Sequence, residues 1–291
     1  MSNNQKDFDI FASEYQNEEK EVLILTRDGG ESAGLLGQEC GIPDSGDSWI
    51  AFKPFLAYVD IASNTLRKGE GRVRWLISGE DMTKHRWTWP HFFEDGVIYR
   101  LKVRELIDKT VPEGRLPSYG NRLMVVEVLE KNVHNDELLA ILAEYRKPVI
   151  ITDETLGEFI LNKNLGYFDG KINWLKKDIL VMLEVNPDSK SSWTKAMNVL
   201  RTLFEQQTQK DSEFRTFAAE QLTALANDWR EEEDAEISKH DFINRISLST
   251  LAVFSNGDFE ADYDDDFMFG GHEIVVSGNI KKGLKSADIV G

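Results

Sequence analysis

Between Phe259 and Glu273 the chain crowds carboxylates around one histidine. Asp262, Asp264, Asp265 and Asp266 fall within five positions, and His272 follows Gly270 and Gly271. Four like charges at that spacing repel one another, so the segment needs a cation, a basic partner or open water. Asp262, Asp264 and Asp266 take positions 1, 3 and 5 of a twelve-residue frame closing on Glu273, the ligand spacing of a calcium loop. Position 6, where such a loop turns on glycine, is Phe267. The frame suits a β-hairpin better, since alternate residues of a strand share a face. There Asp262, Asp264 and Asp266 can still gather one hard divalent cation with His272 beside them. His272 can also act as a general base oriented by Asp264 or Asp266, or brace the hairpin as a structural histidine.

A second concentration lies between residues 65 and 104. It holds nine basic and five acidic side chains, a local excess of 9 − 5 = +4, with Trp87 and Trp89 inside the run from Lys84 to Phe93. Cations interleaved with aromatics on a small barrel can stack single-stranded nucleic acid. The same residues can present an aromatic patch to a protein, or bury the tryptophans while the cations snorkel outward. No H-E-x-x-H, C-x-x-C or phosphate-loop pattern occurs, and no catalytic residue is assigned.

The whole chain has 291 residues and a net charge of 34 − 51 = −17. That field opposes nucleic acid and anionic membranes and suits a partner with a basic surface. Cys40 is the single cysteine and cannot form an internal disulfide, which suits a reducing compartment. The polar N-terminus shows no secretory pattern and no long apolar run occurs, so a cytoplasmic protein is expected.

Three segments must position these groups. Residues 1–20 read as a polar arm, loosely held, with a weak stripe at Phe8, Phe11 and Tyr15. Residues 21–148 read as a mostly-β barrel or sandwich with a helix near its end, capped by Asn135 or Asp136. Within it, residues 67–71 are expected as a turn. Residues 149–291 read as an α+β domain: strands, then helices carrying Trp193 to Phe204 and Phe214 to Trp229, an acidic break at 231–234, a short helix capped by Ser238, and strands again. That order predicts an antiparallel sheet with two or three helices on one face. Asp169-Gly170 is expected as its first hairpin turn.

From about Gly157 onward the chain resembles a bacterial family known as domain of unknown function 2262. The likeness rests on residues 167–174, on 217–229, on 242–249, and on 259–274 with its Gly-Gly-His ending. Where the family pattern has an acidic residue and a second aromatic, this chain has Phe267 and Gly270. The resemblance implies an α+β fold, no stated activity, and a protective role beside toxin and immunity loci. Residues 22–147 resemble no recognised family. The expected function is therefore a non-enzymatic binding protein, an immunity or antitoxin-like inhibitor. Asp262, Asp264, Asp265 and Asp266 would meet a basic protein, and Tyr263, Phe267, Phe269, His272, Trp87 and Trp89 would supply contacts. The alternative is a metal-binding module or metal-dependent hydrolase centred on Asp264, Asp266 and His272.

Overall fold

The computed structural model describes residues 3–35, 48–231 and 235–291. Cys40 and the acidic positions 232–234 lie outside the described residues. The chain divides into two compact units, Met1–Lys147 and Pro148–Gly291.

The first unit runs α1 (Asn3–Ala12), β1 (Lys20–Thr26), β2 (Ser32–Leu35), β3 (Ser48–Asp60), β4 (Thr65–Ser78), α2 (Gly79–Met82), β5 (Ile98–Glu105), β6 (Arg122–Lys131) and α3 (Asp136–Tyr145). The sheet order is β1-β5-β6-β4-β3-β2, and a further pairing of β1 with β3 closes five strands into a barrel. All of the barrel's neighbours are antiparallel except β4 and β6. Such Greek-key barrels also serve oligonucleotide- and oligosaccharide-binding proteins, but the architecture alone assigns no ligand. Alternate strand residues fill the interior, among them Ile24, Phe55, Val73, Trp75, Leu101 and Leu123, together with Trp89 and Phe93 from the β4–β5 connection. Asn135 caps α3 by accepting from the Leu138 N–H at 3.0 Å.

Two expectations fail here, both for tertiary reasons. The N-terminal segment is not a loose arm. Phe11 and Tyr15 are buried with Ile50, Leu106 and Met124, and the buried Arg74 donates to Glu14 and to the Tyr15 hydroxyl, each at 3.1 Å. Residues 67–71 do not form a turn but lie inside β4. The chain reverses at 61–64, where Asn64 has φ 48°. Gly71 serves close approach instead: a Cβ there would sit 2.2 Å from the Phe55 ring and 2.3 Å from the Asn121 carbonyl oxygen.

The second unit runs β7 (Ile150–Asp153), β8 (Gly157–Asn162), β9 (Tyr167–Trp174), β10 (Lys177–Glu184), α4 (Lys190–Glu205), α5 (Gln207–Trp229), α6 (Lys239–Arg245), β11 (Ser247–Phe254), β12 (Asp258–Asp264), β13 (Glu273–Asn279) and β14 (Gly283–Val290). Its eight strands lie in the order β14-β13-β12-β11-β10-β9-β8-β7. Two antiparallel meanders meet at a parallel pair, β10 with β11. The three helices form the crossover that a parallel connection requires. A capping box at Ser238 and Asp241 starts α6. Leu200, Phe214 and Phe242 pack on Val181, Leu251, Ala261 and Tyr263, all from one face of the sheet. The protein is thus of mixed α+β class, a barrel followed by a mostly antiparallel sheet with its helices on one side.

Asp169-Gly170 is not the hairpin turn; both lie within β9. A Cβ on Gly170 would meet the Glu158 carbonyl oxygen at 2.6 Å. The turn falls at Leu175 and Lys176, with φ 48° and 70°.

Candidate functional site

The run of aspartates is taken apart by the fold. Asp262 and Asp264 share the solvent side of β12, while Tyr263 between them points into the core with no exposure. The Tyr263 hydroxyl donates to Asp211 at 3.2 Å, and burial, with Asp211 beside it, drives its pKa well above the usual phenol value. Asp264 lies 3.6 Å from Lys177 and accepts from the Ser247 hydroxyl at 3.2 Å. Asp265 turns inward and is buried. Its carboxylate accepts the backbone N–H groups of Phe267 (3.0 Å), Phe269 (2.7 Å) and Gly271 (3.1 Å), and so organises the β12–β13 loop. Asp266 is held by Arg245, whose guanidinium reaches its carboxylate and its carbonyl, each at 2.7 Å.

The loop's remaining side chains divide the same way. Phe269 is fully buried beside Trp229 and Phe242. His272 sits edge-on to Trp229, ring centroids 5.6 Å apart. Phe267 is 83% exposed, and it and Asp266 hold φ angles of 58° and 48°, a strained region for side chains of this size. Tyr263 and Phe269 are therefore core residues, not partner contacts, and Asp265 is a loop brace. Asp262, Asp264, Asp266 and His272 do not converge: each oxygen-bearing group from 264 to 266 already has a different protein partner. Among the described residues no three His, Cys, Asp or Glu side chains gather as metal ligands.

What the fold assembles instead is the helix-free face of the eight-stranded sheet. The strand registers put two rows of outward side chains across it. One row is Leu180, Thr250, Asp262, Val275 and Asp288. The next is Asp169, Met182, Ala252, Glu260, Ser277 and Ser286. Glu184 stands beside Phe254, and Glu273 opposite Asp264, on the same face. Burial pushes the Asp262 carboxyl up to about 6, with Glu273 and Glu260 adding repulsion. Glu184 is raised by burial and then by Glu260. Among the described residues, the charged neighbours acting on these two groups are other carboxylates.

Glu184, Glu260, Ala252 and Met182 escaped the sequence reading. Alternation along β12 was visible, but which strands flank it depends on pairings set across the helical crossover.

The barrel's cationic stripe is largely neutralised. Arg100 donates to Glu21 at 2.9 Å, Arg104 pairs with Glu19 at 2.7 Å, and Lys102 with Glu127 at 3.4 Å. Lys131 meets Glu94, and Glu14 serves both Arg74 (3.1 Å) and Arg122 (3.6 Å). Arg72 lies over the Phe52 ring at 4.5 Å. These acids lie outside the 65–104 window or far along it, so the local excess read from sequence does not survive folding. Trp89 is buried, its indole N–H donating to the Asp81 carbonyl at 2.9 Å, and so offers no contact surface. Trp87 remains 64% exposed and stacks on His85 with ring centroids 4.2 Å apart.

Residues 153–289 match the family described as an uncharacterized protein conserved in bacteria, domain of unknown function 2262. Residues 7–145 match a different family, domain of unknown function 7021. The second half of the chain thus matches the family its motifs resembled, and the barrel half matches a separate one. No curated protein and no solved structure matches the chain. Among the described residues, no helix is long and apolar enough to cross a membrane.

Proposed function

We propose that this chain is a non-enzymatic binding protein that engages a basic protein partner, in the manner of an immunity or antitoxin-like inhibitor. The contact surface is the acidic, helix-free face of its C-terminal sheet. One observation carries the reading: Glu260 and Asp262 stand together with Glu184 and Glu273 nearby, and burial, with repulsion from Glu273 and Glu260 added, lifts Asp262 to about 6. A protein that keeps like charges together at a cost to its own stability gains that energy back when a cation arrives. Phe267, 83% exposed on its strained loop, supplies an apolar contact at the end of the same sheet. The lone cysteine and the family's bacterial distribution suit action in a reducing cytoplasm.

The test compares the wild-type chain with the triple variant E184Q/E260Q/D262N as baits in a bacterial lysate, followed by association kinetics on the protein retained. A partner of net positive charge that binds wild type about tenfold faster at low salt than the variant, with a steeper salt dependence, supports the proposal. Equal rates, or a partner with an acidic surface, overturn it.

A further inference from the structure

Where the β11–β12 and β13–β14 hairpins turn, at one end of the sheet, they enclose a cavity of about 740 Å³, a volume in the range of small-ligand sites. Half-buried Phe254 lines it from the end of β11, Asp258 and Glu260 from β12, and Lys282 and Lys285 from the chain around the next turn. Gly283 lines it too, and a Cβ there would meet no atom within 4 Å, so the space beside it is open. The polar groups are fixed by the protein itself. Asp258 accepts from the side-chain amides of Asn256 at 2.7 Å and Asn279 at 2.6 Å. The Asn279 amide oxygen accepts the Lys281 backbone N–H at 2.9 Å, and the Ser277 and Ser286 hydroxyls lie 2.8 Å apart. Those amide bonds from Asn279 and Asn256, and then Lys282 and Lys285, hold the Asp258 carboxyl below its ordinary value.

We propose that this cavity binds a short neutral oligosaccharide, its hydroxyls on Asp258, Asn279 and Lys282 and one sugar ring against Phe254. The inference goes beyond the function proposed above and does not depend on it. Charge selects the ligand. Two carboxylates and two ammonium groups line the cavity, 2 − 2 = 0, in a chain whose net charge is −17. An anion there meets Asp258 and Glu260, and a cation meets Lys282 and Lys285. Both lysines act on Asp258, so opposite charges are interleaved, whereas a zwitterion needs them at separate ends. A hydrocarbon would strip water from all four charges and return no hydrogen bond. A sugar hydroxyl both donates and accepts, so it satisfies ammonium, amide and carboxylate groups alike. The C–H face of a sugar ring finds its apolar contact on the Phe254 aromatic face.

Saturation-transfer NMR on the full chain with maltotriose, cellotriose and chitotriose, followed by titration of any that binds, tests the proposal. Asp258→Asn keeps the shape and replaces an acceptor by a donor; Phe254→Leu keeps apolar bulk and removes the aromatic face. A melting curve confirms folding of each. The expected result is binding of at least one trisaccharide with a Kd of about 1 mM, weakened about tenfold by D258N and about threefold by F254L. Asp262 does not line the cavity, and D262N should leave that affinity unchanged. If no trisaccharide binds, or if D258N and F254L both bind as wild type does, the proposal is wrong. Binding of glucose 6-phosphate or spermine where the trisaccharides give no signal also overturns it, since the cavity then selects charge. Each of these failures leaves the basic-partner function standing, because that function is read from a protein partner and from E184Q/E260Q/D262N.

Discussion

Removing the charge of Asp262 should stabilise the protein, by an amount that grows from about pH 4 and is complete above about pH 6. Its carboxyl moves from an ordinary value of 3.8 to about 6, first through burial and then through Glu273 and Glu260. Between those values the folded chain holds a proton that the unfolded chain has released. Unfolding free energy therefore falls as pH rises through that window, and the full penalty applies above it. At about 1.36 kcal/mol for each tenfold change in proton affinity, the rise from 3.8 to about 6 sets a ceiling of about 3 kcal/mol. Asp262 retains some contact with water, and screening reduces the penalty to about 1.5 kcal/mol. D262N keeps the shape and cannot ionise. It should raise the melting temperature of the C-terminal unit by about 3–5 °C at pH 8 and leave it nearly unchanged at pH 4. Thermal unfolding of both proteins at the two pH values decides the matter. An equal gain at both, or a loss at pH 8, refutes the claim that Asp262 is held as a desolvated, repelled charge.

Three further outcomes follow from side chains whose partners are now known. Asp265→Ala strips the acceptor from three backbone N–H groups at once; urea unfolding should show a loss of about 3 kcal/mol. Phe267→Gly relieves a left-handed backbone, φ 58°. It should stabilise by about 0.5–1 kcal/mol in the same assay while weakening binding to the basic partner. Glu14→Ala removes the carboxylate shared by Arg74 and Arg122, the former only 2% exposed. It should cost the barrel about 3 kcal/mol in thermal or urea unfolding, where a free arm would lose nothing.

The sequence alone determined what depends on near neighbours. Asn135 and Ser238 announced helix starts because a cap bonds a donor three residues on. The apolar stripes of α4 and α5, and the alternation of β12, announced their elements because period follows from local geometry. The class, a barrel and then strands, helices and strands again, came from that order. Tertiary structure decided whatever depends on a returning chain. Gly71 and Gly170 looked like turn residues, but their missing side chains make room for Phe55, Asn121 and Glu158, which lie far from them in sequence. The parallel seams β4–β6 and β10–β11 are settled only when distant segments meet. The aspartate run read as one surface because its members are adjacent in sequence. Folding sent Asp265 inward, gave Asp266 to Arg245 and set Asp262 beside Glu260 and Glu273. A charge's role is fixed by which groups stand within a few ångströms of it, and on a sheet most of those belong to other strands.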